Sequence, residues 1–182
     1  MKRLFVAAML LILSAGSWAS EQLISETMTG YWQEYSHGNF TKAATYMDPR
    51  DLNELRDGLV PLFLAATDHP NEEVRKIVNG FFNGVPDELR KEMSAEQVFA
   101  GLSQVGKHQL PEVFETLATT RIEVTEVRMD TTDSATVHYT VITPEGNGQD
   151  NERASLYDGR WYLRIKEPPQ ETITKLRSLL GQ

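Results

Sequence analysis

The chain has 182 residues, no cysteine and a formal net charge of −8 at pH 7. An acidic surface repels nucleic-acid phosphates and anionic lipid headgroups, which argues against a nucleic-acid-binding protein and against membrane binding through a basic face. Without cysteine the chain forms no disulfide and offers no site for lipidation at a processed N-terminus, so its fold depends on its hydrophobic core.

The N-terminal segment MKRLFVAAMLLILSAGSWAS has the features of a secretory signal peptide. Lys2 and Arg3 form a positive start, an apolar run follows, and the small residues Ser17 and Ala19 precede the expected cleavage site. The run is shorter than the roughly 18–20 residues that a membrane-spanning helix needs. We therefore expect 1–19 to be removed, leaving a soluble periplasmic or secreted bacterial protein with no integral membrane segment. A retained N-terminal anchor is the alternative.

The first half of the mature chain, 20–118, has the periodicity of helices. In SEQLISETMTGYWQEYSHG the apolar residues recur at three- and four-residue spacing, which predicts a helix that ends at Gly38. A short second helix is predicted in NFTKAATYM, with Asn39 as its N-cap and Asp48-Pro49 as its end.

Four further helical segments are predicted before residue 120. The first, 49–66, contains Pro61, which predicts a kink or a break. HPNEEVRKIVNGFFNG is expected to form a helix that ends at Gly80 or Gly84. In SAEQVFAGLSQVGKH, Ser94 stands three residues before a glutamine, which is the spacing of a capping box. LPEVFETLATT adds a last short helix.

Residues 120–166 have the alternation of strands. RIEVTEVRMD shifts its alternation by one position, as a β-bulge would produce, and SATVHYTVIT alternates without interruption. PEGNGQ is expected to be a loop, and NERASLY and RWYLRI are joined through Asp158-Gly159, a strong hairpin signal. Four consecutive strands with short turns predict an antiparallel meander. The segment 170–181, QETITKLRSLLG, predicts a closing helix.

Helices followed by a meander predict an α+β fold rather than an alternating α/β fold. A small antiparallel sheet must cover one face, and the preceding helices are available to do so. We expect 20–182 to form a single domain, with N-terminal helices packed on a bent four-stranded antiparallel sheet and a helix at the C-terminus.

Three segments resemble the nuclear transport factor 2-like superfamily, which has a cystatin-like fold and includes ketosteroid isomerase-like and SnoaL-like proteins. YWQEYSHGNFTKAATYM is similar to the opening helix pair, DSATVHYTV to the second long strand and YDGRWYLRI to the closing hairpin. The resemblance implies a cone, in which a strongly bent sheet surrounds the N-terminal helices. The long helical region and the terminal helix depart from the family minimum. In order alone, they are similar to the periplasmic phospholipid carrier of the Mla system.

Enzymes of this superfamily place Asp, His or Tyr inside the cone, which makes Tyr35, His37, Asp48, His138 and Tyr139 candidates here. A solvated side chain in a turn explains His37, and a position between two threonines on one strand face explains His138. Helix capping explains Asp48. Because no pattern ties any two of the candidates together, no catalytic residue is predicted.

Metal and nucleophile signatures are absent from the sequence. No two of the four histidines stand at ligand spacing, no serine or threonine lies in a nucleophile elbow, and no glycine-rich phosphate loop occurs. The sequence therefore predicts no metal site and no cofactor.

Seven aromatic residues are expected to converge where the first helix meets the sheet. They are Tyr31, Trp32, Tyr35, Phe40, Phe63, Tyr139 and Trp161. Core packing accounts for them, and the alternative is an apolar pocket with polar aromatic tips that holds a hydrophobic ligand.

The predicted function is that of an exported binding or accessory domain that holds a small apolar ligand, a lipid or a partner protein. One alternative is an acid–base enzyme of the ketosteroid isomerase or dehydratase type. Others are a periplasmic lipid carrier, or a structural domain that forms a homodimer through the convex face of the sheet. An enzyme predicts a buried titratable side chain that faces a pocket.

Overall fold

A computed structural model describes residues 2–181, with side chains described for 19–181. The chain forms a series of helices, then four strands, then a final helix. In order, these are α1 (Lys2–Ser36), α2 (Phe40–Ala44), α3 (Pro49–Ala65), α4 (Glu72–Phe81), a 3₁₀-helix (Asp87–Glu92), α5 (Ala95–Gln109), α6 (Pro111–Thr119), β1 (Arg121–Met129), β2 (Ser134–Thr143), β3 (Gly146–Tyr157), β4 (Arg160–Leu163) and α7 (Pro169–Leu179).

The predicted signal peptide falls within α1, and apart from Ala19 its side chains lie outside the described residues. Removal of this segment and export of the chain stay predictions. Among the described residues, no helix combines the length and the apolar character that crossing a membrane requires.

The end of α1 is the predicted one. Gly38 has a φ of +78°, and its N–H donates to the carbonyl of Tyr35 at 3.0 Å. Asn39 occupies the predicted N-cap position of α2, but its side chain donates to Glu34 Oε2 at 2.9 Å and does not cap the helix. At φ −81° and ψ 56°, Asn39 lacks the extended backbone of a capping residue.

The later helix signals are largely confirmed. The side chain of Asp48 accepts a hydrogen bond from the N–H of Arg50 and caps α3, and Ser94 forms the predicted capping box at the start of α5. The predicted break at Pro61 does not occur, since α3 continues through it to Ala65. The 3₁₀-helix was not predicted, and α4 ends at Phe81, within the predicted segment.

The sheet is the predicted antiparallel meander, with the strand order β1-β2-β3-β4. The predicted bulge lies in β1, where the register shifts between Val124 and Glu126. The predicted loop PEGNGQ is only partly correct: Pro144 and Glu145 form a turn, but β3 already begins at Gly146, which pairs with Thr143. The long β2 supplies pairing partners for Gly146 to Gln149, so ladder pairing overrides the low strand propensity of the glycines and the asparagine.

β4 is shorter than predicted and ends at Leu163. The linker between α2 and α3 runs beside it, where Met47 and Leu163 form a parallel bridge and the N–H of Asp48 donates to the carbonyl of Leu163 at 2.8 Å. The chain then leaves the sheet, and the N–H of Ile165 donates to a carboxylate oxygen of Asp51 on α3 at 3.0 Å.

Two hydrophobic cores hold the molecule together. The first lies between the sheet and α1, where inward-facing residues of β2, β3 and β4 meet Ile24 and Met28. The second lies among α3, α4, α5 and α7. Helix α3 contributes Leu52 to the first core and Leu59 to the second. The α+β architecture predicted from the sequence is thereby confirmed.

Candidate functional site

A small pocket lies where α1, α5, β3 and the segment after β4 meet. We call it the cone pocket; its volume is about 140 Å³ and its lining residues are Tyr31, Met47, Phe99, Glu152, Leu163, Arg164, Ile165 and Lys166. Five of these side chains are aromatic or apolar and three carry ionisable groups. An apolar cavity of about 150 Å³ is large enough to bind benzene, so this pocket suits a molecule of that size.

Strand alternation brings Glu152 into the cone pocket. In the β2–β3 ladder, Glu152 is opposite Val137 and Ala154 is opposite Ala135. Val137, Ala135 and Ala154 are buried in the first core, so this face of β3 is the inward one. The side chain of Glu152 is 19% exposed. A carboxyl group therefore stands on the apolar face of the sheet, where acidic side chains are rare.

The carboxyl group of Glu152 has little electrostatic support. Among the residues with described side chains, none donates a hydrogen bond to it, and Lys166 Nζ lies 3.9 Å from Oε1. Burial raises the pKa of Glu152 to about 7, and the negative charge of Asp150 adds to the rise, while Lys166 and Arg153 oppose it. Glu152 therefore changes its charge near neutral pH.

The two cations of the cone pocket are already paired with other carboxylates. Lys166 Nζ donates to both carboxylate oxygens of Asp150 at 2.8 Å. Arg164 forms two hydrogen bonds of 2.7 Å with the carboxylate of Asp51, whose side chain is buried. The positive charges in the wall are thus neutralised by Asp150 and Asp51 rather than by Glu152.

Tyr31 lines the aromatic side of the cone pocket, and further rings lie behind it. Tyr31 stacks on Tyr35 with ring centroids 5.5 Å apart, and the ring of Phe99 lies 6.2 Å from that of Tyr35. Burial raises the pKa of Tyr31, Tyr35 and Tyr139. Their phenol groups therefore stay protonated at neutral pH and keep their capacity to donate a hydrogen bond.

The structure brings together some of the seven predicted aromatic residues. Tyr31 lines the cone pocket; Tyr35 stacks behind it, and Trp32 meets Tyr139 with centroids 6.5 Å apart. Phe40 contacts Tyr35 at 5.2 Å, yet it lines a separate cleft.

Of the two remaining aromatic residues, Trp161 lies in the first core together with Tyr139, whereas Phe63 lies elsewhere. Phe63 stacks on Phe81 at 4.0 Å in the second core, among the helices. Trp161 is buried, and it borders a groove that also includes Leu23 and Tyr46. Ligand contact by any of the seven stays a prediction.

The sequence reasoning missed Glu152, although a signal for it was present. Alternation through NERASLY places Glu152 on the same strand face as Ala154 and Leu156. An acidic side chain at an inward position of a strand is as good an acid–base candidate as the histidines and tyrosines. Asp150 follows PEGNGQ directly, and because that segment was expected to be a loop, the strand pairing of Asp150 with Tyr139 was not predicted.

The acid–base candidates from the sequence lie elsewhere or are held in one charge state. His37 is exposed, and its Nδ1 donates to the carbonyl of Gln33 at 2.6 Å. His138 lies half-buried on β2, one position out of step with the buried Val137 and Tyr139. Neither histidine lines the cone pocket.

Asp48 is fully buried and does more than cap α3. Burial by itself raises its pKa, but hydrogen bonds from Arg50 and Ser155 outweigh that effect and lower the pKa of Asp48 to about 2. Arg50 Nη2 lies 2.6 Å from Oδ2, and the hydroxyl of Ser155 donates to the same oxygen at 2.5 Å. A carboxylate so firmly ionised joins α3 to β3 and is unsuited to proton transfer at neutral pH.

A second, more open cleft of about 400 Å³ lies between α2, the end of α4 and α5. Its lining includes four glycines and the carboxamides of Asn83, Gln97 and Gln104, with no ionisable side chain. It therefore offers no group for acid–base chemistry. Among the described residues, no three His, Cys, Asp or Glu side chains are grouped so that they could hold a metal ion.

No protein-family model matches the chain, and no curated protein matches it. A crystal structure of a protein from Campylobacter jejuni, described as an NTF2-like transpeptidase, matches with a TM-score of 0.37 and 12% sequence identity. The match covers 78% of this chain and 96% of that one.

Proposed function

We propose that the chain is a binding domain whose cone pocket holds a small, mainly apolar molecule with one polar group. The observation that carries this proposal is the carboxyl of Glu152, which lies in the wall of a mainly apolar pocket and accepts no hydrogen bond from any residue with a described side chain. A partly buried carboxyl that accepts no hydrogen bond from the protein can accept one from a ligand, and the ligand then gains affinity and orientation.

The size of the pocket favours a small molecule over a lipid. At about 140 Å³, it matches one aromatic ring with a short substituent, whereas an acyl chain needs a longer cavity. The side chains of Tyr31, Phe99 and Ile165 form apolar walls. Apolar surface that a ligand buries against them contributes about 25 cal/mol per Å² to the free energy of binding. The expected ligand therefore has about eight non-hydrogen atoms and a dissociation constant on the order of 1 mM.

Benzyl alcohol is a suitable neutral probe for this proposal. We expect a titration followed by NMR to shift resonances of Tyr31, Phe99 and Ile165 along one saturable curve. The variant Ile165→Phe adds bulk to the wall of the pocket and should weaken binding at least tenfold. Val113→Phe adds a ring at a position that is 49% exposed on α6 and should leave binding unchanged.

Three results would count against a ligand in this pocket. One is the absence of saturable shifts up to tens of millimolar benzyl alcohol. Another is a set of shifts that map to the open cleft around Asn83 and Gln97. The third is equal affinity for the wild type and for Ile165→Phe, provided that both fold.

Acid–base catalysis is a second candidate function, and the pKa of Glu152 favours it. A general base works best when its pKa is near the working pH, and burial places the pKa of Glu152 at about 7. The phenol of Tyr31 lines the same pocket and could donate a hydrogen bond to an oxygen that gains charge.

Proton abstraction next to a carbonyl is testable without knowing the natural substrate. Cyclohexanone in heavy water exchanges its α-hydrogens when a base removes them, and NMR follows the exchange. A catalytic Glu152 predicts exchange faster than in buffer, with an inflection near pH 7, and loss of the excess rate in Glu152→Gln. Exchange at the buffer rate would end this candidate.

Export and self-association were predicted from the sequence, and both remain proposals. We expect the protein expressed with its leader in a bacterial host to accumulate outside the cytoplasm with its new N-terminus at Ser20, which intact-mass measurement would detect. Retention at the full-chain mass would contradict it. The proposed homodimer predicts twice the monomer mass in light scattering, and a monomer at millimolar concentration would rule it out.

A further inference from the structure

The charged groups of the cone pocket are unequally supplied with partners. Lys166 and Arg164 face into the pocket, but each is hydrogen-bonded to a carboxylate outside the lining, Asp150 or Asp51. Glu152 is the remaining ionisable group of the lining, and among the residues with described side chains nothing donates to it. The pocket thus lacks a donor rather than an acceptor.

The apolar part of the same pocket is lined by aromatic rings. Tyr31 and Phe99 approach from α1 and α5, and Tyr35 extends the group behind them. A cation next to such rings is attracted by their quadrupoles, more strongly when water is excluded. Aromatic rings and a carboxyl group that accepts no hydrogen bond from the described side chains together form a site for a positively charged group with a hydrocarbon body.

We propose that the cone pocket selects small organic amines, whose ammonium group donates to Glu152 while the hydrocarbon part lies against Tyr31 and Phe99. This inference rests on the proposed function, because it names the class of ligand for the same pocket. The formal net charge of −8 adds a long-range attraction for cations.

The surroundings of Glu152 allow a cation to approach. The titratable and charged groups that influence it or share its pocket are Tyr31, Tyr139, Asp150, Arg153, Arg164 and Lys166. The tyrosines are neutral phenols, and Asp150 is negative. Lys166 opposes an incoming cation, but its own charge is offset by Asp150 at 2.8 Å. Whether an incoming cation is attracted to the pocket therefore depends on whether Glu152 is ionised.

Amine binding is expected to depend on pH for this reason. An ammonium group gains most from the ionised carboxylate, so a protonated Glu152 reduces the fraction of binding-competent protein. With a pKa of about 7, that fraction rises about 30-fold between pH 5.5 and pH 8. A neutral alcohol of the same shape has no such dependence.

Benzylamine and benzyl alcohol form the matched pair of probes, since they differ only in the polar group. We expect benzylamine to bind the wild type about 30-fold more tightly at pH 8 than at pH 5.5. Benzyl alcohol should change less than threefold. In Glu152→Gln the pH dependence of benzylamine should disappear, while Glu123→Gln, the same change at an exposed position of β1, should retain it.

The outcomes separate this inference from the proposed function. If both probes bind with equal affinity at both pH values, the amine preference is overturned and a binding pocket for neutral molecules remains. If neither probe binds, the proposed function itself is overturned. Benzylamine binding that keeps its pH dependence in Glu152→Gln would also overturn the inference. Binding of benzyl alcohol to that variant shows that its pocket is intact, and the pH profile of the wild type is an independent measurement.

Discussion

Replacing Glu152 by glutamine should stabilise the protein at high pH and change little at low pH. The pKa of Glu152 rises from an ordinary value of 4.5 to about 7 because burial disfavours its charged form. Between these two values the folded state binds more protons than the unfolded state, so stability falls as pH rises through this window. A neutral amide of nearly the same shape does not titrate and removes this loss.

The size of the effect follows from the displacement of the pKa. Each pKa unit corresponds to about 1.4 kcal/mol, so a rise from 4.5 to about 7 has an upper limit of roughly 3 to 4 kcal/mol. The side chain is 19% exposed, and water at its edge reduces the penalty. We expect Glu152→Gln to raise the free energy of unfolding by about 2 kcal/mol more at pH 8 than at pH 4.5.

Urea unfolding followed by tryptophan fluorescence measures this double difference directly. Glu123→Gln is the control, because it makes the same chemical change at an exposed position of β1 and should have equal effects at both pH values. If Glu152→Gln alters the free energy of unfolding by the same amount at pH 4.5 and at pH 8, the carboxyl is not buried in its charged form and the reasoning is refuted.

Two further predictions concern the scaffold around the pocket. Asp48→Asn should lower the free energy of unfolding by about 2 kcal/mol above pH 4 and by less as the pH falls toward 2. The reason is that the pKa of Asp48 is lower in the folded state, and the stability that this provides is lost when the folded protein also takes up the proton. Urea unfolding at pH 7 and pH 2.5 measures the difference, and an equal cost at both pH values would contradict it. Gly101→Ala should lose about 2 kcal/mol, since a Cβ there would lie 2.5 Å from the carbonyl oxygen of Phe81. On the same helix, Gly106→Ala meets only ordinary contacts and should gain up to about 1 kcal/mol by thermal unfolding; a loss similar to that of Gly101→Ala would refute the packing argument.

Local signals in the sequence were enough to predict the architecture. The capping serine at Ser94 and the register shift in RIEVTEVRMD each act within a few residues, and each appears where it was expected. Signals that depend on a distant partner were misread. β3 extends back to Gly146 because β2 is long enough to pair with it, and turn propensity alone does not reveal this.

The candidate site depends on contacts that sequence periodicity does not encode. Tyr31 was expected at the pocket because the stripe of α1 must face the sheet. Lys166 lies between two carboxylates, and its Nζ is 2.8 Å from Asp150 Oδ1 but 3.9 Å from Glu152 Oε1. Sequence periodicity does not show which of the two carboxylates accepts the hydrogen bond. Phe63 was assigned to the wrong core, since a helical stripe shows which face is buried but not which neighbour buries it.

The chemistry of the cone pocket depends on the Glu152 carboxyl, whose side chain is 19% exposed and to which no residue with a described side chain donates a hydrogen bond. Carbon-13 NMR of the protein labelled at the glutamate side-chain carboxyl carbon measures its titration directly, and Glu152→Gln identifies its resonance by removing it. We expect this resonance to titrate with a midpoint near pH 7. A midpoint near the ordinary glutamate value of 4.5 would contradict it.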